Sequence, residues 1–284
     1  MNDAEIFIVG AKGQLGLALQ AQYPGAKSAD IEELNITDRE SVENFDWLGI
    51  KYILNAAAYT NVDGAETAEG RVAAWGVNAD AVANLVAVAA QHDMTLVHIS
   101  TDYVFDGVQD NHREDEPFAP LSVYGASKAA GDIAVSLAPK FYILRTSWVI
   151  GKGKNFARIM LDLGQKGMNP TVVADQIGRL TFASELVRAI HHLLITNQQF
   201  GTYNVTNSGD PVSWADITRK IFDLAGYNNT VIDTTTAEYY AGKKDIAPRP
   251  LLSTLNLDKI HATGFDSKDW IEDLSRYIQK ELAT

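Results

Sequence analysis

The chain has 284 residues, 46% hydrophobic and 21% charged, enough length and apolar content for one large globular domain or two unequal ones. A formal net charge of −12 and a pI of about 4.9 oppose a nucleic-acid backbone or an anionic membrane surface as partner, since either would repel it. No cysteine is present, which excludes disulfides, thiolate metal sites and a cysteine nucleophile and fits a reducing compartment. No apolar run approaches the roughly 20 residues needed to span a bilayer, and Met1 is followed by acidic Asp3 and Glu5 rather than a basic leader. The expectation is a cytoplasmic protein with neither a membrane nor a nucleic-acid partner.

Glu5 to Val9 is a short β-branched and aromatic run that stops at Gly10, and Leu15 and Leu19 follow at helical spacing. This reads as strand, tight turn, helix. Within the turn, "GAKGQLG" spaces Gly10, Gly13 and Gly16 around Lys12, Gln14 and Leu15. Glycines there let the backbone turn sharply and approach a pyrophosphate, which sits on the helix N-terminus where free N–H groups and the dipole favour anions. A plain turn is the alternative; the position after the first strand favours the dinucleotide reading.

Asp30 follows near the end of the expected second strand, where an acid hydrogen-bonds adenosine ribose hydroxyls and favours NADH over NADPH. Lys12 could offset a 2′-phosphate, and Asp30 could equally be a loop acid beside Glu32 and Glu33. The next apolar run, "KYILNAAA" (51–58), opens into "NAAAYTNVD" (55–63), where Asn55, Ala56, Ala57, Ala58 and Tyr59 suit a dinucleotide lying against backbone. A helical pattern over Ala73–Gln91 leads to the run "MTLVHIS" (94–100) and then "STDYVFDG", which places Thr101, Asp102 and Tyr103 at the carboxyl edge of the sheet.

"VYGASKAAGD" (123–132) begins a helical pattern through Leu137 and sets Tyr124 four residues before Lys128. That spacing puts phenol and ammonium on one helix face with Cβ atoms roughly 6 Å apart. Alone, the pair is an aromatic and a solvated charge; behind a glycine turn and a strand-end hydroxyl it becomes a proton-delivery pair. Lowering a phenol pKa from about 10 toward 7 requires roughly 4 kcal/mol of preference for phenolate. An ammonium about 4 Å away supplies roughly that at an effective dielectric near 20. Lys128 is therefore expected to tune Tyr124.

A run over 140–150 supplies another strand. Beyond it the pattern loosens into helices over 155–167 and 184–195, a strand over 201–206, a helix from the Ser213 cap to Ala225, and a last helix with Trp270, Leu274 and Ile278 on one face. Strands alternating with helices imply an α/β Rossmann-type doubly wound parallel sheet. The expected division is a dinucleotide-binding domain over 1–150, to which part of 181–206 returns, and a smaller, mainly substrate-binding α/β region over 151–284.

The motifs "GQLG", "NAAAYTNVD", "STDYVFDG", "YGASKAAGD", "RTSWVIG" and "GKNF" together closely resemble the dTDP-4-dehydrorhamnose reductases, extended short-chain dehydrogenases/reductases, over nearly the full chain. The resemblance implies NAD(P)H-dependent reduction of a dTDP-linked 4-keto-6-deoxy-L-hexose to dTDP-L-rhamnose, the last step in making that sugar for cell-wall polysaccharide. Carried over to this sequence, it implies Tyr124 as proton donor, Lys128 as its partner and nicotinamide-ribose ligand, and Thr101 as the hydroxyl on the keto oxygen. It further implies substrate contacts from Asp102, Tyr103, Trp148, Asn155, Gln176 and Arg249, whose guanidinium suits a pyrophosphate. Two departures stand out. Leu180 occupies a position where the family often has proline, and Ala18 one where some members carry an acid for an interface Mg²⁺, so no metal and a monomer or homodimer are expected.

Rival readings are an epimerase or dehydratase on the same scaffold and a regulatory subunit that binds dinucleotide without turnover. "STDY" lacks the Glu that a dehydratase pairs with its Asp, and the intact Thr101, Tyr124 and Lys128 set disfavours the regulatory reading. A hydrolase triad from His98, Ser100 and Asp102 lacks the required G-x-S-x-G elbow, and His191–His192 lack partners at metal-ligand spacing.

Overall fold

Short apolar runs with both faces covered become the strands of a single parallel sheet. The computed structural model describes residues 1–283. Its strands are β1 (Ile6–Val9), β2 (Lys27–Ala29), β3 (Tyr52–Asn55), β4 (Thr95–Thr101), β5 (Phe141–Thr146) and β6 (Gly201–Asn204), in spatial order β6-β5-β4-β3-β1-β2. All pairings are parallel, and Val9, Asn55 and His98 stand in register across β1, β3 and β4. Strand order reverses between β1 and β3, so connections depart in opposite directions and open a crevice at the carboxyl ends of these two strands.

Alternation along the strands builds two cores. Ile6, Ile8, Leu54 and Leu144 face Leu15 and Leu19 of α1 (Gln14–Gln22) and a second helix carrying Leu186, Ile190 and Leu193. Phe7, Ile53, Leu96 and Ile143 face the other way, onto Val82, Leu85 and Val88. These last belong to a helical stretch made of α2 (Ala68–Trp75), a π-helical turn over Gly76–Asp80, and α3 (Ala81–Gln91). The pattern over 73–91 thus finds its helix, extended at the front. By length and composition Ala68–Gln91 could cross a bilayer, which corrects the reading that no run approaches that length. Its apolar face is spent on the sheet.

α4 (Val123–Val135) starts where Ser122 Oγ accepts from the Gly125 N–H, so Tyr124 lies in its first turn. The run over 140–150 is not one strand. It breaks at Trp148, whose φ of +50° is rare for a bulky side chain, and Val149–Ile150 pairs instead with Thr181–Phe182. A third core joins α5 (Phe156–Gln165), α7 (Trp214–Ala225) and α8 (Trp270–Leu282), with α6 (Ala183–Ile195) returning to the main sheet. Trp270, Leu274 and Ile278 are buried in that third core, as their spacing predicts, and Leu180 is fully buried beside them.

The glycine turn is held by contact. A Cβ on Gly16 would lie 2.1 Å from Gly10 O, whereas one on Gly13 would lie 3.4 Å from the same atom. Gly16→Ala is expected to lose about 1–3 kcal/mol of stability through overpacking, and Gly13→Ala much less. Urea unfolding midpoints check this; equal midpoints for the two variants would disprove the close-packing account.

Candidate active site

At the β1/β3 crevice the backbone turns with Gly10 at φ +77°, and a Cβ there would meet Ala57 N at 2.6 Å. Only glycine fits. α1 then begins at Gly13, whose lack of a side chain leaves the first-turn N–H groups uncapped and open to an anion. Gln14 Oε1 is buried there with no partner among the described residues. Asp30 braces the turn, accepting from Lys12 N at 2.8 Å and from Ile31 N at 2.9 Å. The Lys12 ammonium pairs with Glu32 at 2.7 Å.

A cavity of about 830 Å³ runs from this turn across the sheet edge. Lys12, Gly13, Gln14, Leu15, Ala56, Ala57 and Ala58 line one end, and Thr101, Asp102, Tyr103, Tyr124, Lys128 and Trp148 the other. Gly10 and Gly16 shape it from behind, and Asp30, Asn55 and Tyr59 are outside its lining. Ser100, Thr146, Ser147, Lys152 and Lys154 line it too; all but Lys152 lie in the motifs "STDYVFDG", "RTSWVIG" and "GKNF", but spacing alone does not bring them together, because strand ends and a loop meet there only after folding. Asn78 is another residue that the pattern concealed. From the π turn it donates to Tyr59 O at 3.1 Å and to Ser127 Oγ at 3.0 Å, and accepts from Tyr59 N at 2.9 Å, clamping the loop after β3 to α4.

Tyr124 and Lys128 face this one cavity, with Tyr103 edge-on to Tyr124 at 5.5 Å. Their electrostatics correct the expected tuning. Burial, then the charge of Asp102, pushes the Tyr124 phenol up, and a side-chain hydrogen bond with Thr101 opposes the rise only in part. Lys128 is itself buried, which pulls it down to about 8 against the pull of Asp132. Its Nζ is turned to Ile99 O at 2.6 Å and His98 Nε2 at 3.2 Å, so its charge does not serve the phenol in this state. A phenol with a raised pKa stays protonated near neutrality, which is the form a proton donor needs.

Thr101 donates to Asp102 Oδ1 at 2.9 Å. Burial raises Asp102 to about 6, against hydrogen bonds with Ser253 and Thr101. Beneath α4, Asp132 accepts from Arg145 Nε of β5 at 2.9 Å, with both side chains buried. That pair anchors the helix that carries Tyr124 and Lys128.

Trp148 separates this cavity from a second one of about 290 Å³ and lines both. Its indole stacks on Trp214 with centroids 3.8 Å apart and over Gly178, so it is a wall and not only a core side chain. Gln176, Trp214, Tyr240 and Arg249 also line the smaller cavity. Arg249 pairs with Asp63 at 2.8 Å and lies over the Tyr240 ring. Asn155 lines neither cavity; it caps α5 and donates to Gly151 O at 2.7 Å and Tyr277 Oη at 2.9 Å.

The hydrolase triad does not assemble, because both His98 ring nitrogens are taken by Asn55 and Lys128. His191 meets Tyr23 and His192 meets Thr263, both packing roles. Ala18 packs against the sheet core. Asp106, His112 and Glu116 bring candidate metal-ligand atoms within 4.8 Å of one another, but His112 is already engaged by Glu116 on Nδ1 and Leu252 O on Nε2.

Comparison with known proteins gives a consistent result. The family described as "RmlD substrate binding domain" matches residues 4–283. A dTDP-4-dehydrorhamnose reductase of Aggregatibacter actinomycetemcomitans is 38% identical over 94% of this chain and 96% of its own length. The crystal structure of a dTDP-4-dehydrorhamnose reductase from Clostridium acetobutylicum superposes with a TM-score of 0.91 at 35% identity, covering 98% of this chain and 99% of that one. A Bacillus anthracis dTDP-4-dehydrorhamnose reductase in complex with NADP superposes with a TM-score of 0.89 at 36% identity, covering 97% and 98%.

Asp102 provides a pH test. Its folded pKa of about 6 lies above the ordinary 3.8, so its ionised form destabilises the fold above pH 6 and the penalty disappears as pH falls toward 4. Asp102→Asn keeps an acceptor for Thr101 and removes the charge. It is expected to stabilise the chain by on the order of 2–3 kcal/mol at pH 8 and by little at pH 4, as read by denaturant titration. An equal gain at both values would refute the assignment.

Proposed function

The chain belongs to the dTDP-4-dehydrorhamnose reductase family, and on that footing we propose that it reduces the C4 keto group of dTDP-4-dehydro-6-deoxy-L-mannose, yielding dTDP-L-rhamnose. The observation that carries this reading is the convergence of Thr101, Tyr124 and Lys128 on the cavity that the glycine turn opens. The uncapped start of α1 and the wall of Ala56, Ala57 and Ala58 fit a nicotinamide dinucleotide, with Gly10 and Gly16 permitting close approach. When bound, the reduced nicotinamide supplies the hydride that the keto carbon accepts.

The protein's own part is proton delivery and charge placement. Thr101 Oγ1 turns its hydrogen from Asp102 to hold the keto oxygen, and Tyr124 protonates that oxygen as negative charge develops on it. Lys128 returns a proton to Tyr124 and holds the nicotinamide ribose. Asp102 and Tyr103 border the sugar, and Trp148 packs on it. Arg249 takes the pyrophosphate of the substrate, trading part of its Asp63 contact for it. Asn155 and Gln176 serve by fixing the loops that shape the smaller cavity.

We infer that Asp30, just after β2, takes the adenosine ribose hydroxyls and favours NADH, and the Lys12–Glu32 pair supports this reading by engaging the Lys12 ammonium. Residues 1–150 with α6 and β6 make the dinucleotide half, and the rest of 151–284 mainly the substrate half. The enzyme acts in the cytoplasm as a monomer or homodimer, without metal, nucleic acid or membrane.

The test supplies the 4-keto sugar nucleotide and follows reduced-nicotinamide absorbance with each cofactor. Stoichiometric oxidation with a rhamnosyl product is expected; cofactor-neutral conversion would indicate an epimerase, and binding without oxidation a regulatory protein. Tyr124→Phe is expected to lower kcat by about 10²–10⁴-fold while leaving dinucleotide affinity intact. Parent-like turnover by that variant would overturn the mechanism.

A further inference from the structure

Behind the reactive pair, buried groups form a hydrogen-bond chain whose direction is set at its ends. Ala57 N–H can only donate, and it lies 3.1 Å from Asn55 Oδ1. The amide orientation is thereby fixed, leaving Asn55 Nδ2 3.1 Å from His98 Nδ1. An amide nitrogen donates and does not accept, so Nδ1 is the acceptor. A neutral imidazole then carries its proton on Nε2, which lies 3.2 Å from Lys128 Nζ. Lys128 in turn donates to Ile99 O, which can only accept.

Every contact is satisfied in one sense only, from Ala57 through Asn55, His98 and Lys128 to Ile99. In that sense Lys128 receives the His98 N–H on a lone pair, which an ammonium does not have. Asn55, His98 and Lys128 are each at most 1% exposed, so a donor-to-donor contact among them is costly.

We propose that His98, its tautomer set by Asn55, is a positioning residue for the reduction: its N–H stabilises the amine that the Lys128 ammonium leaves on giving up a proton, and so makes that ammonium a ready proton source for Tyr124. As the lysine N–H bond breaks and the Tyr124 O–H bond re-forms, the lone pair left on Nζ is taken up by the His98 N–H. Lys128 regains a proton from solvent through the cavity. Lys128's lowered pKa is in accord with this, as is burial pushing His98 well below its ordinary value. Of the other charged groups, Asp132 acts on Lys128 from the same helix while paired with Arg145 of β5, and Tyr124 and Asp102 share the cavity. His98 is met by Asn55 and Lys128.

The consequence for turnover rests on the reductase reading, but the direction of the chain does not. Ring ¹⁵N NMR of His98 in the cofactor-free protein is expected to show the Nε2–H tautomer; an Nδ1–H or doubly protonated ring would overturn the proposal whatever the protein catalyses. Asn55→Asp replaces the amide donor with an acceptor and is expected to move the ring proton to Nδ1. The basic limb of the kcat/KM profile should then rise by about one pH unit. His98→Leu should lower kcat about tenfold with KM little changed, and His98→Gln, which can still present an N–H, should recover part of the loss. Should the Leu variant fail to fold, the tautomer of the parent still decides. Equal kcat and pH profiles for parent, Leu and Gln variants would also overturn it.

Discussion

The backbone after β1 and the backbone after β3 approach so closely that no side chain fits between Gly10 and Ala57. That approach has two effects. It aims the uncapped end of α1 into the crevice, and it fixes the peptide whose N–H starts the chain from Ala57 through Asn55 and His98 to Lys128. The surface that receives a dinucleotide and the group that controls the acid are therefore parts of one rigid unit. Displacing either segment would disturb cofactor geometry and lysine charge together.

Around this unit the chain keeps polar groups where an apolar core would be more stable. Lys128, Asp132 and Asp102 are buried, and Gln14 Oε1 and Thr146 Oγ1 have no partner among the described residues. Buried polar groups of this kind cost stability unless paired. Gln14, Asp102, Lys128 and Thr146 line one cavity, which marks where function rather than packing sets the residue. The Asp132–Arg145 pair offsets part of the cost and ties α4 to β5.

Trp148 lines both cavities. Its left-handed backbone ends the fifth strand, turns the chain toward the Thr181–Phe182 pairing, and sets the indole against Trp214 between two cavities. A strained residue held at the junction of two clefts is a place where local geometry serves ligand contact. The smaller cavity, with its aromatic rings and Arg249, is positioned by the third core and not by the sheet.

The sequence by itself determined the parallel sheet, the glycine turn and the placement of Thr101, Tyr124 and Lys128, because each rests on local periodicity or on spacing within one element. The last helix was legible for the same reason: Trp270, Leu274 and Ile278 recur at its period. Only the tertiary structure decided the charge relations. Lys128 was legible as a neighbour of Tyr124, but His98 and Ile99, which hold it, come from a strand some 30 positions away. The contacts of Asn78, Ser147 and Arg249 are likewise made with elements that meet only on folding. A pKa depends on burial and on what lies within a few ångströms in space, and no spacing along a chain encodes that.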